Sequence, residues 1–183
     1  NIKWVEKSDG FIRIYKEPHL RHPYVLSGDT AGEGVDWFAG QVIDNHTAEQ
    51  SATLRTQIDE DLYAEQMYCL GKYYNWALIG IEANYSRYPT KVLDFMNYPK
   101  LYIREREDTF TGGVNKAYGF LTTAKTRPII IADLIKIVRE SIELINDKTT
   151  LLEMLTFVKN DAGKEVALPN KHDDMVMSLA IAY

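Results

Sequence analysis

At 183 residues, 45% apolar and 26% charged, the chain has the composition of one soluble globular domain with enough sequence for a real core. No apolar run approaches a membrane span, and Lys3, Glu6, Lys7, Asp9 and Arg13 exclude a signal peptide at the start. The single Cys69, in a helical pattern, permits no intrachain disulfide and points to a reducing cytoplasm. The formal net charge of −5 excludes the basic surface of a stand-alone DNA binder, although acidic metal ligands would contribute to that charge.

In chain order, FIRIY (11–15) alternates as a short leading strand, and EPHLRHP breaks it with two prolines. YVLSGD (24–29) is an apolar strand ending in Asp29, followed by the glycine-rich turn TAGEG and a second strand, WFAGQVID (37–44), so 24–44 reads as an antiparallel hairpin. AEQSATLRTQ (48–57) is a third strand. Residues 59–75 form an amphipathic helix, with Leu62, Met67, Leu70 and Tyr74 at helical spacing and acids in the first turn. WALIGIEAN (76–84) is a buried strand; after an intervening helix it lies parallel to the first apolar strand. A helix over 89–98 and a strand over 101–106 follow. Residues 108–126 read as a long Gly- and Thr-rich loop, 127–142 as a helix opened by Pro128, 150–158 as a further helix, and 159–171 as a turn region with room for a small hairpin. HDDMVMSLAIAY (172–183) is the last helix. The missing initiator Met and the helical end suggest a domain excised from a longer protein.

Four acids carry the chemistry. Asp29 ends an apolar strand before a glycine turn, where it serves either as a site or as a turn residue bonding its own backbone. Glu82 interrupts an apolar stretch, and a charge there is costly unless it is paired or bound to metal. Asp173 and Asp174 open the final helix, where one can cap while the other binds metal. Small residues Ser178, Ala180 and Ala182 let that helix pack closely on the sheet and bring its start to the strand ends. His172 reads as a cap neighbour, a water-orienting base or a ligand, and Asn84 shares a strand face with Glu82 as a group for phosphate or water. Glu33 and Asp36 read as solvated turn acids, or at most as groups behind the metal ligands. Oxygen donors without Cys or a His cluster suit Mg²⁺ or Mn²⁺, and two such ions about 4 Å apart hydrolyse phosphodiesters with one shared carboxylate between them. Asp29 is the candidate for that shared position.

The order strand-Asp, hairpin, third strand, crossover helix, strand-Glu and C-terminal helix with Asp resembles the RNase H-like fold. YVLSGDTAGEGVDWFAGQVID, ALIGIEANY, YGFLTTAKTRPIIIADL, LLEMLTFV and HDDMVMSLAIA resemble the C-terminal nuclease domain of large terminase subunits of tailed bacteriophages. The resemblance implies an α/β architecture with a central mixed five-stranded sheet, the first three strands antiparallel and parallel strands after them, flanked by helices. It implies a metal-dependent endonuclease that cuts concatemeric viral DNA during packaging, with Asp29, Glu82 and one of Asp173 or Asp174 as catalytic metal ligands; Ser178, four residues on, favours Asp174. Two Mg²⁺ or Mn²⁺ ions, double-stranded DNA, the portal and the small terminase subunit are the implied partners, in the infected host's cytoplasm. No G-x-x-x-x-G-K-[ST] motif occurs, so the ATPase domain of such proteins is expected upstream, with residues 1–20 as its leading linker and strand and 21–183 as the nuclease domain.

Arg87, Lys116, Lys125 and Arg127, with Lys91, Arg104 and Arg106, are candidate DNA contacts or ordinary surface charges. Tyr85, Tyr88 and Tyr118 read as packing residues. Two other readings stay open: another RNase H-like enzyme such as a junction resolvase or transposase core, and a catalytically idle docking domain.

Overall fold

The computed structural model describes residues 2–30, 37–107, 114–161 and 163–183. Its centre is a five-stranded mixed sheet in the order β1 (Ile12–Ile14), β4 (Gln50–Thr56), β3 (Phe38–Asp44), β2 (Tyr24–Asp29), β5 (Leu78–Ile81). The first four strands pair antiparallel, and β5 joins β2 in parallel. The leading strand is therefore an edge of the same sheet, with Ile12 packed against its core.

Strand alternation sorts the two faces. Tyr24, Leu26, Phe38, Val42, Leu54, Ile79 and Ile81 face α1 (Glu60–Tyr73), which contributes Tyr63, Met67 and Leu70 to this core. Gly28 lies on this face because nothing larger fits: a Cβ there would stand 2.3 Å from the Tyr63 hydroxyl. That hydroxyl is held in place by donating to the Ala39 carbonyl at 2.7 Å.

The opposite face carries Ser27, Asp29, Gln41 and Ile43. It is covered by α5 (Asp174–Ala182), with Ile131 and Leu134 of α3 (Thr126–Ser141) behind it. Ser178 and Ala180 are fully buried, and the Ser27 hydroxyl donates to the Ser178 carbonyl, so α5 lies close on β2 as its small residues predict. A buried amide chain fixes the height of α5. Gln50 Nε2 donates to Gln41 Oε1 at 2.6 Å, and Gln41 Nε2 donates to the Met175 carbonyl at 3.0 Å and to Thr150 Oγ1 at 3.1 Å.

The structure departs from the sequence-based expectation in three places. Part of the expected loop 108–126 is a strand: β7 (Val114–Tyr118) pairs antiparallel with β6 (Ile103–Glu107), while 108–113 lie outside the described residues. β6 leaves the central sheet after a single parallel bridge between Leu101 and Ile79. The helix expected over 150–158 starts at Lys148, where Asp147 caps it through Thr150 N, and ends at Met154; α4 (Lys148–Met154) then gives way to β8 (Phe157–Lys159), paired with β9 (Glu165–Ala167). Val158 and Thr156 favour extended backbone there. α2 (Tyr88–Phe95) opens with Pro89 as expected. No helix among the described residues is long and apolar enough to cross a membrane.

Candidate active site

The parallel pairing of β2 with β5 places Asp29 and Glu82 side by side. Asp29 is the last residue of β2 and Glu82 follows the last residue of β5, its amide donating to the Gly28 carbonyl at 2.8 Å. Asp29 points to the α5 face and is buried. Its carboxyl is pushed well above the usual carboxylate range, first by burial, then by the charge and hydrogen bond of Glu82, then by the charges of Asp174 and Asp173. All four acids singled out in the sequence therefore act on one point at one end of the sheet.

Helix α5 delivers the aspartates. Asp173 occupies the N-cap position but its side chain makes no capping hydrogen bond, so the expected division into one capping and one metal-binding Asp is not observed. Asp173 Oδ2 instead lies 3.5 Å from Arg127, and Asp174 Oδ2 lies 3.6 Å from His172 Nδ1. The capping acceptor is Glu153 of α4, whose Oε2 accepts from Met175 N at 2.9 Å. Burial raises the Glu153 carboxyl to about 7, its bonds from the Met175 and Val176 amides oppose this, and Asp174 adds to it. Sequence reasoning missed Glu153. An acid flanked by apolar residues in LLEML is the same signal that singled out Glu82.

Asn84 is exposed and committed elsewhere: it donates to the Thr122 carbonyl at 2.5 Å and accepts from Thr122 N at 2.8 Å, which ties the segment 119–125 beside Glu82. Arg127 is mostly buried and donates to the Glu165 carbonyl at 2.9 Å, so it is a cation beside the acids rather than a free surface group. Arg87, Lys91, Lys116 and Lys125 are exposed, Arg104 is half-buried near the Gly119 carbonyl, and the Arg106 side chain, Glu33 and Asp36 lie outside the described residues. Tyr85, Tyr88 and Tyr118 are exposed rather than packed, which corrects the expectation for them.

Among the described residues, no three His, Cys, Asp or Glu side chains are gathered tightly enough to grip an ion. The donor set nonetheless fits a hard divalent cation in kind: Asp29, Glu82, Asp173 and Asp174 offer only oxygens, and their mutual repulsion around a buried carboxyl is what a cation relieves. A separate cavity of about 280 Å³, lined by Arg13, Trp37, Arg55 and Met175 among others, contains none of these four acids.

No protein-family model matches the chain, and no curated protein matches it. Solved structures do. The large terminase nuclease from thermophilic phage G20c superposes with TM-score 0.72 at 20% identity over 97% of this chain and 89% of that one. The same nuclease with bound magnesium gives 0.73 at 19% over 97% and 88%. The large terminase nuclease domain of Thermus phage P74-26 gives 0.72 at 19% over 97% and 86%. The chain has the fold of a large terminase nuclease domain. Its mixed five-stranded sheet flanked by helices is the RNase H-like arrangement expected from the sequence.

Proposed function

We propose that this chain is the nuclease domain of a phage large terminase subunit, a metal-dependent endonuclease that cuts concatemeric viral DNA during genome packaging. The observation that carries the reading is the side-by-side placement of Asp29 and Glu82, with Asp173 and Asp174 in electrostatic reach, at one end of a terminase-nuclease sheet. The structural neighbours support it further, one of them having bound magnesium.

Asp29, Glu82 and Asp174 would hold two Mg²⁺ or Mn²⁺ ions, with Asp173 the alternative to Asp174 and Asp29 the ligand common to both. Such ions, when bound, activate the attacking water and stabilise the leaving 3′ oxygen. The chain supplies the rest. Burial of Asp29 keeps bulk water from its carboxyl, α5 sets the third acid against the two strand ends, and Arg127 balances part of the local negative charge through Asp173. His172, 3.6 Å from Asp174, would orient a water. The exposed Arg87, Lys116 and Lys125 would meet the DNA backbone. The reading entails double-stranded DNA as substrate, an upstream ATPase domain in the same protein, the portal and small subunit as partners, and the infected cell's cytoplasm as the place of action.

Cleavage of linear duplex against a four-way junction in Mn²⁺ tests this reading. Duplex cut at least as fast as the junction is the expected result. A strong preference for the junction contradicts it and favours a resolvase.

A further inference from the structure

We propose that Glu153 is a positioning residue of this site: from α4 it holds the first turn of α5, and with it Asp173 and Asp174, in register with Asp29. The inference rests on the nuclease reading and adds to it a residue outside the acid set. A helix that begins Asp-Asp ordinarily caps itself, yet Asp173 makes no side-chain cap here. The amide of Met175 is satisfied by Glu153 Oε2 at 2.9 Å. The N-cap residue Asp173 thus gives its carboxylate to Arg127 rather than to the helix.

Glu153 is itself anchored to the sheet. Its side chain is 9% exposed, and its Oε1 lies 3.8 Å from Arg55 Nε. The Arg55 guanidinium in turn lies 3.8 Å from the centre of the Trp37 ring. Arg55 is paired in register with Ala39, and Ala39 with Asp29. The start of α5 and the end of β2 are thus referenced to one row of residues across the sheet. A neutral acceptor would cap α5 without adding negative charge beside Asp174, so reach rather than charge is the property that positioning requires.

Two near-isosteric variants separate reach from charge. Glu153→Gln keeps the acceptor at its distance and loses the charge; Glu153→Asp keeps the charge and withdraws the acceptor by one methylene. Mn²⁺ affinity of the DNA-free chain is measured by titration calorimetry, and the kcat and KM of plasmid cleavage are measured alongside, with both variants confirmed folded by near-UV circular dichroism. The expected result is Mn²⁺ affinity within about threefold of the unmodified chain for Glu153→Gln and weaker by about tenfold or more for Glu153→Asp, as for groups that orient metal ligands. The aspartate variant also loses kcat with little change in KM for DNA. Unchanged affinity in both variants, equal loss in both, or loss in the glutamine variant alone overturns the positioning role. An unmodified chain that neither binds Mn²⁺ nor cuts DNA overturns the nuclease reading itself, and the proposal with it.

Discussion

Asp29 and Glu82 stand at the ends of neighbouring parallel strands, joined by the 2.8 Å bond from the Glu82 amide to the Gly28 carbonyl, so two carboxyls leave the sheet side by side. Burial and this proximity raise the Asp29 carboxyl well above its ordinary range. Such an arrangement costs stability. Asp29→Asn removes the ionisable group while keeping the shape. The thermal midpoint at pH 8 in EDTA is expected to rise by a few degrees, about 1 kcal/mol of stability. Mn²⁺ should then no longer raise it, whereas saturating Mn²⁺ at about 100 times its Kd should stabilise the unmodified chain by about 2.7 kcal/mol. Differential scanning calorimetry with and without Mn²⁺ checks both.

Gly28 carries a second prediction. An added Cβ would meet the Tyr63 hydroxyl at 2.3 Å and Met67 Cε at 3.0 Å, and Tyr63 is fully buried with its hydroxyl engaged. Gly28→Ala is expected to cost about 1–3 kcal/mol through overpacking and to displace Asp29, the next residue. Urea denaturation should show the loss, and cleavage should fall further than stability alone accounts for.

The β2–β3 hairpin, the helix over 59–75, the buried strand ahead of Glu82 and the small-residue face of α5 were legible because each follows from local periodicity or from single residues such as Asp29 and Ser178. Glu82 was legible because a charge in an apolar run has few explanations. Glu153 carries the same signal in LLEML but sits on a helix, where one acid among apolar residues reads as its exposed face. Its partner Met175 lies 22 residues away. The capping of α5 could not be assigned from HDD alone, because the sequence does not reveal that a second helix supplies the acceptor. β7 was hidden for a related reason: VNKAY sets Asn115 and Lys116 among its apolar residues and pairs with IRERE, four of whose five residues are charged, and none of the described side chains of the pair is buried.

The buried amide chain adds to the stability that the apolar core supplies. Gln50 Oε1 accepts from Asn146 N at 2.7 Å and from Asp147 N at 2.5 Å, while its Nε2 donates to Gln41. Gln50→Leu leaves two amide donors and one carbonyl without partners. The expected cost is about 2–4 kcal/mol, from the penalty on buried groups left unpaired. The midpoint of chemical denaturation reads it directly.

The Glu153 carboxyl, raised from 4.5 to about 7, sets a pH dependence of known sign. The folded state holds this proton more tightly than the unfolded chain, so between the two values it binds more protons and stability falls as pH rises. The cost is absent below about 4.5, fully present above about 7, and removed by substitution to glutamine. Unfolding free energy measured from pH 5 to 8 should therefore decline less steeply for Glu153→Gln than for the unmodified chain.

The central claim, that Asp29 anchors a divalent-metal site that cuts DNA, is tested most directly by nicking of supercoiled plasmid in Mn²⁺, Mg²⁺ and EDTA, with folded Asp29→Asn assayed alongside. The account predicts cleavage by the unmodified chain in Mn²⁺ or Mg²⁺, none in EDTA, and a loss of at least about 100-fold in Asp29→Asn, the scale of losing a central transition-state contact. Cleavage that persists in Asp29→Asn, or no cleavage in either metal, would contradict it.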